Sequence, residues 1–339
     1  MKRLNIYQIS PNPADITSFY RGIGPYGKLA QKFKDLDIRF GDKLDVAQLF
    51  WCDVLVLQRP FTVEHMNWLQ TGKQLGKTVI IDYDDDVTHV PEHNPHQKHY
   101  NNEQVQYAIK TCLESADHIT VSTENLKKEF NKYTDKITVI PNALDTDLIK
   151  DPKLDWSKRN KLVLWRGGES HTMDLVTYQE ELKSLVKNNP DWLFHFFGGD
   201  EKFMQYVLKP TINSNNASFA KSISMLQYLK VIDQMCPTIM VVPLLDDLFN
   251  RSKSNIAWIE GTMNGAVVVA PDNGSWDQPG IVKYESKEEF KSKTQDLINN
   301  PNQLKELWTE SFNYIKQNLT LAKINRKRYN LINEVIKGE

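Results

Sequence analysis

The run Trp165-Arg166-Gly167-Gly168-Glu169-Ser170-His171 puts one cation and two glycines where an apolar stretch ends and a helical one begins. Glycines let the backbone approach a ligand closely, N–H groups at a helix start attract anions, and a guanidinium adds paired donors on a fixed charge. Together these suit a diphosphate; the plain alternative is a Gly-Gly turn with a surface arginine. The run is neither a Walker loop nor a G-x-G-x-x-G fingerprint. A second run, PLLDDLFNRSKSNIAWIE from Pro243 to Glu260, leads from the apolar TIMVVP through a polar loop into a helix. Ser252 or Ser254 is expected to cap that helix. Arg251 and Lys253, beside the free N–H groups, would hold phosphate oxygens, and Glu260 could accept hydrogen bonds from both hydroxyls of a ribose. The alternative is a capped surface helix with a solvated glutamate.

A third group is Asp82-Tyr83-Asp84-Asp85-Asp86, followed by His89 and His93. Crowded carboxylates repel, so at least one should resist ionisation and can act as general base for a hydroxyl. Asp84, Asp85, Asp86 and His89 are therefore the catalytic candidates; capping and loop hydrogen bonds are the alternative for each. The cluster also spells D-x-D, a metal-binding pattern in another setting, but no metal is expected here. Ser18 to Pro25, SFYRGIGP, offers Gly22 and Gly24 for close backbone approach, and Arg21 beside them. Arg59 could meet an anionic group or pair with the aspartates. Asn142 and Asp145 read as loop or hinge residues. Trp165, Trp192 and Trp258 fit core positions, whereas Trp276, in APDNGSWDQPG, is the tryptophan expected to touch a ligand.

These residues need elements to hold them. Apolar runs at Leu4–Ile9, Val54–Leu57, Thr78–Asp82, His118–Ser122 and Ile137–Ile140 read as strands, with helix-like stretches Gly24–Phe33, Val63–Leu75 and Asn102–Ser115 between them. The polar stretch Asp145–Asn160 reads as a linker. Alternation then restarts with strands Leu162–Arg166, Trp192–Gly198, Ser218–Lys221, Thr238–Pro243 and Ala266–Ala270, and helices Thr172–Lys187, Asp200–Tyr206, Ser224–Cys236, Ser254–Asn264 and Lys287–Asn299. Asn302 to Lys337 looks helical throughout. The pattern predicts an α/β protein with two Rossmann-like, doubly wound domains facing across a cleft. Residues 1–157 would form the first, 158–315 the second, and 316–339 a helix packing back on the first. In such sheets ligands bind outside the carboxyl ends of the strands, where all three groups fall.

The chain has 339 residues, a soft prior for two domains. With 40% hydrophobic and 25% charged residues it is not expected to be disordered. Lys+Arg 42 against Asp+Glu 43 gives a net charge of −1, which excludes coating nucleic acid by charge alone but not a local basic cleft. No apolar run is long enough to span a membrane, so no integral membrane association is expected. MKRLNIYQISPNP lacks the apolar core of a signal peptide. Cys52, Cys112 and Cys236 are odd in number and far apart, which favours a reducing cytoplasm.

The second half resembles the donor domain of GT-B glycosyltransferases, especially the retaining group related to glycogen and sucrose synthases. The matching pieces are WRGGESHTMDL, FHFFGG and VPLLDDLFNRSKSNIAWIEGTMNGAVVVAP; IIDYDDDVTHVPEHNP, ADHITVSTENLKKEF and ITVIPNALD agree in the first half. The resemblance implies that Arg166 and Lys253 grip a donor diphosphate and that Glu260 binds the ribose. Gly22, Gly24, Gly167, Gly168, His171, Arg251, Ser252 and Ser254 join them on the donor side, and Arg21, Arg59 and Trp276 on the acceptor side. It departs at one point: the group often carries a first glutamate where this chain has Ser252, which bears on the sugar and the stereochemistry; Asp246 and Asp247 are the candidate substitutes. The implied activity is NDP-sugar-dependent hexosyl or pentosyl transfer, a UDP-sugar favoured, with no obligatory cofactor. The acceptor would be a glycan, or a hydroxymethylated pyrimidine of DNA, since FNRSKSNIAWIE and SWDQPG also resemble bacteriophage proteins; the site of action would then be the host cytoplasm. A non-catalytic nucleotide-sugar binder on the same fold is the alternative, and a sugar epimerase a more distant one.

Overall fold

The computed structural model describes residues 3–338; Met1, Lys2 and Glu339, at the outer limits of the expected first domain and final helix, lie outside the described residues. Two six-stranded sheets form the frame. The first contains β1 (Leu4–Ile9), β2 (Leu36–Gly41), β3 (Val54–Gln58), β4 (Thr78–Tyr83), β5 (His118–Val121) and β6 (Ile137–Val139), in the order β2-β1-β3-β4-β5-β6. The second contains β7 (Leu162–Gly167), β8 (Leu193–Gly198), β9 (Ala217–Ala220), β10 (Ile239–Val241), β11 (Val267–Pro271) and β12 (Val282–Tyr284), in the order β12-β11-β10-β7-β8-β9. Neighbouring strands pair in parallel throughout.

Parallel sheets covered by helices on both faces need strands apolar on both sides. VLVLQ of β3 and VVVAP of β11 meet that demand, with every residue buried. The edge strands β2 (LDIRFG) and β12 (VKY) mix polar with apolar residues and carry no such run, so the sequence pattern missed both. The helix expected over Thr172–Lys187 is two, Thr172–Thr177 and Gln179–Asn188, broken at Tyr178. Tyr178 turns inward there, its hydroxyl donating to the Leu244 carbonyl at 3.2 Å.

The chain leaves the first sheet near Leu144 and returns at Leu319–Leu321. There the Leu144 amide donates to the Leu319 carbonyl at 2.8 Å and the Leu321 amide to the Leu144 carbonyl at 2.6 Å. The final helix, Leu321–Lys337, lies against the helix Ile23–Lys32: Asn325 donates to the Pro25 carbonyl at 2.8 Å, and Tyr329 stacks on Phe33 with ring centroids 4.0 Å apart. One apolar cluster runs through Tyr20, Ile140 and Leu144 of the first half into Trp258, Val268 and Ile324, so the core is continuous between the halves.

Two histidines of the first half are buried neutral. Burial pulls His65 down to about 4, and its Nδ1 accepts the Phe61 amide at 3.2 Å; burial also brings His118 to about 4, helped by Lys136. Both folded pKa values lie below the ordinary 6.5, so the unfolded chain takes up protons first. The stability they confer is complete above about 6.5 and is lost as pH falls toward about 4. His65→Gln should flatten part of the fall in melting temperature across that window; an unchanged slope would refute the assignment.

Candidate functional site

A cavity of about 320 Å³ opens between the carboxyl ends of the two sheets. The end of β7 supplies Arg166 and Gly167, the loop after β10 supplies Lys253 and Ser254, and the helix Ile256–Met263 supplies Glu260. The turn after β4 supplies Asp84 and Asp85 from the opposite side. Arg166, Gly167, Gly168, His171, Lys253, Ser254, Glu260, Asp84, Asp85 and Trp276 thus share one cavity, although they come from both ends of the sequence.

Close packing explains the glycines at the end of β7 and β8. A Cβ on Gly167 would sit 2.7 Å from the Trp165 ring. Gly198 has φ +96°, and a Cβ there would lie 2.2 Å from the Gly167 carbonyl oxygen. The backbone is therefore bare where the cavity floor bends.

Glu260, only 2% exposed, is engaged on both oxygens. Tyr20 donates to Oε1 at 2.6 Å, from the first half, and Tyr228 donates to Oε2 at 3.1 Å. Arg166 Nη2 lies 2.7 Å from Oε2. That contact is close but poorly directed, for neither Nη2 nor Nε of Arg166 makes a hydrogen bond. Burial, then the charge of Glu260, pushes the Tyr20 phenol well above its usual range, and the same causes act on Tyr228. Both phenols stay protonated and are donors. Burial and then the charge of Lys253 lower the His171 pKa, although Asp174, 2.8 Å from its Nδ1, opposes them. Lys253 lies over the Phe249 ring, 4.5 Å from its centroid.

The aspartate cluster divides. Asp84 accepts from Arg59 at 2.6 Å on each oxygen, and from the Thr17 hydroxyl at 3.1 Å. Burial works against its charge, but Arg59 overrides it and holds the carboxyl below the usual range. Asp84 is thus a fixed anion and a poor base, which corrects its expected catalytic role. Asp86 is fully buried and outside the cavity, accepting from the Thr88 amide at 3.0 Å and pairing with His89 Nδ1 at 2.7 Å. That hydrogen bond raises the His89 pKa against the effect of burial. Asp86, His89 and Glu129 bring ligand-type atoms within 4.8 Å of one another, but both Asp86 oxygens are already engaged. The D-x-D spelling does not converge on one point. Asp85 lines the cavity 3.6 Å from Arg59 and is the one member of the triplet that both reaches it and escapes a close ion pair.

Other expected site residues serve the scaffold. Arg21 is 1% exposed and bonds Asp82 through Nε at 3.0 Å and Nη2 at 2.7 Å, so it cannot meet an acceptor. Arg59, at φ +46°, backs Asp84 rather than lining the cavity. Gly22 and Gly24 also lie outside it: a Cβ would strike Gln58 and Ser10 at 2.3 Å from the first, and the Phe19 carbonyl at 2.1 Å from the second. Arg251 is paired with Asp246 at 2.6 Å on the rim of a separate cavity that Ser252 also lines. Neither Ser252 nor Ser254 caps the following helix; Asn255 is its N-cap, without a side-chain bond. Asp247 caps the preceding turn through Asn250, so neither Asp246 nor Asp247 replaces the missing glutamate in the cavity. Trp276 lines the cavity but is 2% exposed, part of the core rather than an open loop.

The residue pattern missed Tyr20, Tyr228 and Asn142, which also line the cavity. Tyr228 is on a helix where its spacing reads as core. Asn142, read as a loop residue, donates to Ser254 Oγ at 2.8 Å across the cleft.

No protein-family profile matches the chain, and no curated protein matches it. Solved structures do. Sucrose-phosphate synthase from Thermosynechococcus elongatus superposes with a TM-score of 0.75 at 13% identity, over 99% of this chain and 100% of that one. HepE from Anabaena, in complex with UDP, gives 0.65 at 14% identity, over 98% of this chain and 100% of its own. An alpha-glucosyltransferase in complex with UDP and a 13-mer DNA containing an HMU base gives 0.66 at 11% identity, over 98% and 100%. The chain has the GT-B fold.

Proposed function

We propose that the protein transfers a sugar from a nucleotide-diphosphate sugar, a UDP-sugar first, to an acceptor hydroxyl. The observation that carries this reading is the meeting of Arg166, Lys253 and the Gly167–Gly168 turn on one wall of one cavity. Two fixed cations and close backbone stabilise the charge that develops on a leaving diphosphate. Glu260 would take the ribose. Both of its oxygens accept from the Tyr20 and Tyr228 hydroxyls, so a ribose diol would have to take the place of those phenols. Neighbours crystallised with UDP support the choice of nucleotide.

Asp85 would accept the proton of the attacking hydroxyl, with Arg59 and Asp84 holding its turn in place. Asp85→Asn should lower kcat by about 10²–10³ and leave UDP affinity within a few-fold; wild-type turnover would remove Asp85 from the mechanism. The acceptor would be a glycan or, by likeness to the neighbour bound to DNA with an HMU base, a hydroxymethylated DNA base, and the protein would then be bacteriophage-encoded. No helix among the described residues is long and apolar enough to cross a membrane. Three free cysteines fit a reducing cytoplasm.

The test is a thermal-shift series with UDP, GDP, ADP and dTDP. Saturating UDP at about 100 times Kd would stabilise the fold by about 2.7 kcal/mol. No response to any nucleotide would sink the proposal. Turnover of a UDP-sugar separates the enzyme from a non-catalytic binder.

A further inference from the structure

Lys253 is held in place from the other half of the molecule. It closes the short helix Leu248–Ser252, and a helix leaves its last carbonyls without partners of its own. Side chains of the first half supply them. The Thr123 hydroxyl donates to the Ser252 carbonyl at 2.9 Å, and the Asn125 amide donates to the Arg251 carbonyl at 2.7 Å. The same amide reaches the Asn273 carbonyl at 3.0 Å, and Ser275, from within the second half, is a further donor to Arg251 at 2.8 Å. On the far side of Lys253, Ser254 Oγ accepts from Asn142. Positions 251, 252 and 254 are thus each gripped from across the cleft, while the ammonium between them lies over Phe249 and lines the cavity.

Arg166 is placed by other means. It lies on β7 opposite Phe197 of β8, in the ladder of its own sheet. One cation is therefore fixed by the second half alone, and the other by contacts that exist only while the halves are joined. Thr123 is the N-cap of the helix Glu124–Phe130, accepting from the Leu126 amide at 3.1 Å, so the two gripping side chains stand at the rigid start of a helix. Neither Thr123 nor Asn125 lines the cavity, so neither touches a nucleotide bound there.

We propose that Asn125, with Thr123, is a positioning residue: it sets the turn that aims Lys253 at a nucleoside diphosphate, which is gripped in full only while the two halves are in contact. This rests on the donor-site reading above.

The experiment measures UDP affinity of the full chain by titration calorimetry, in a cycle of single and double variants. Asn125→Ala should weaken UDP binding by about fivefold, the scale of one or two lost hydrogen bonds. In the Lys253→Ala background the same substitution should cost less than about twofold, because residues acting through one another are not additive. Asn125→Asp keeps the shape of the side chain and suits the start of its helix, but turns only acceptors toward the two carbonyls. It should weaken UDP binding at least as much, again only while Lys253 is present. An equal loss in both backgrounds would show a general loosening of the fold and overturn the proposal, as would parental affinity in both Asn125 variants. A parent chain that binds no UDP, or a Lys253→Ala variant that binds it as the parent does, would overturn the donor-site reading and this inference with it.

Discussion

Lys253→Ala lowers turnover of the UDP-sugar by about two to three orders of magnitude, the scale of losing one fixed donor to a developing anion. Lys253 lines the cavity, and no carboxylate among the described residues forms an ion pair with it, so its charge is available to a ligand. The melting temperature of this variant should stay close to that of the parent. Arg166→Ala should match the loss in turnover but also lower the melting temperature, because the buried Glu260 would keep only its two tyrosine donors. UDP affinity should fall in both. Turnover near the parent level in both variants would end the donor-site assignment, since nothing else on that wall carries a fixed positive charge.

Arg21→Met produces the second large effect, on stability rather than chemistry. Arg21 and Asp82 form a buried bidentate pair, with Arg21 also donating to the Ile140 carbonyl and Thr120 donating to Asp82 at 2.6 Å. Removing the guanidinium strands a carboxylate that is 4% exposed. Breaking one side of such a pair costs about 3–5 kcal/mol, whereas replacing both partners with apolar side chains can be nearly neutral. Arg21→Met should therefore move the urea midpoint sharply down, and adding Asp82→Leu should recover much of the loss. Neither residue lines the cavity, so turnover per folded molecule should hold. An unchanged midpoint in the single variant would show that the pair contributes little.

The contrast between these arginines shows what a sequence discloses. Strands such as β3 and β11 announce themselves because burial on both faces demands an unbroken apolar run. The edge strands β2 and β12 face solvent on one side of the ladder and are free of that demand. Arg166 was legible because glycines and a helix start surround it. Arg21 stands in an equally glycine-rich setting, SFYRGIG, yet turns inward to Asp82, and only the fold decides which way it points. The same holds for the triplet Asp84-Asp85-Asp86: three adjacent carboxylates read alike in a string, but one is locked to Arg59, one is buried on His89, and one faces the cavity. Tyr20 and Glu260 lie 240 positions apart, beyond the reach of any local pattern.

The paired backbones at Leu144 and Leu319–Leu321 fix where the two halves are tied together. Two crossings of the chain, laced together at one place, form a single junction. That junction lies in the same buried apolar cluster that joins the halves, and the Thr123 and Asn125 side chains add bonds to the Ser252 and Arg251 carbonyls on the other half. Tyr20, buried in that cluster, adds a polar tie to the apolar one: its bond to Glu260 would have to break before the halves could part at the cavity.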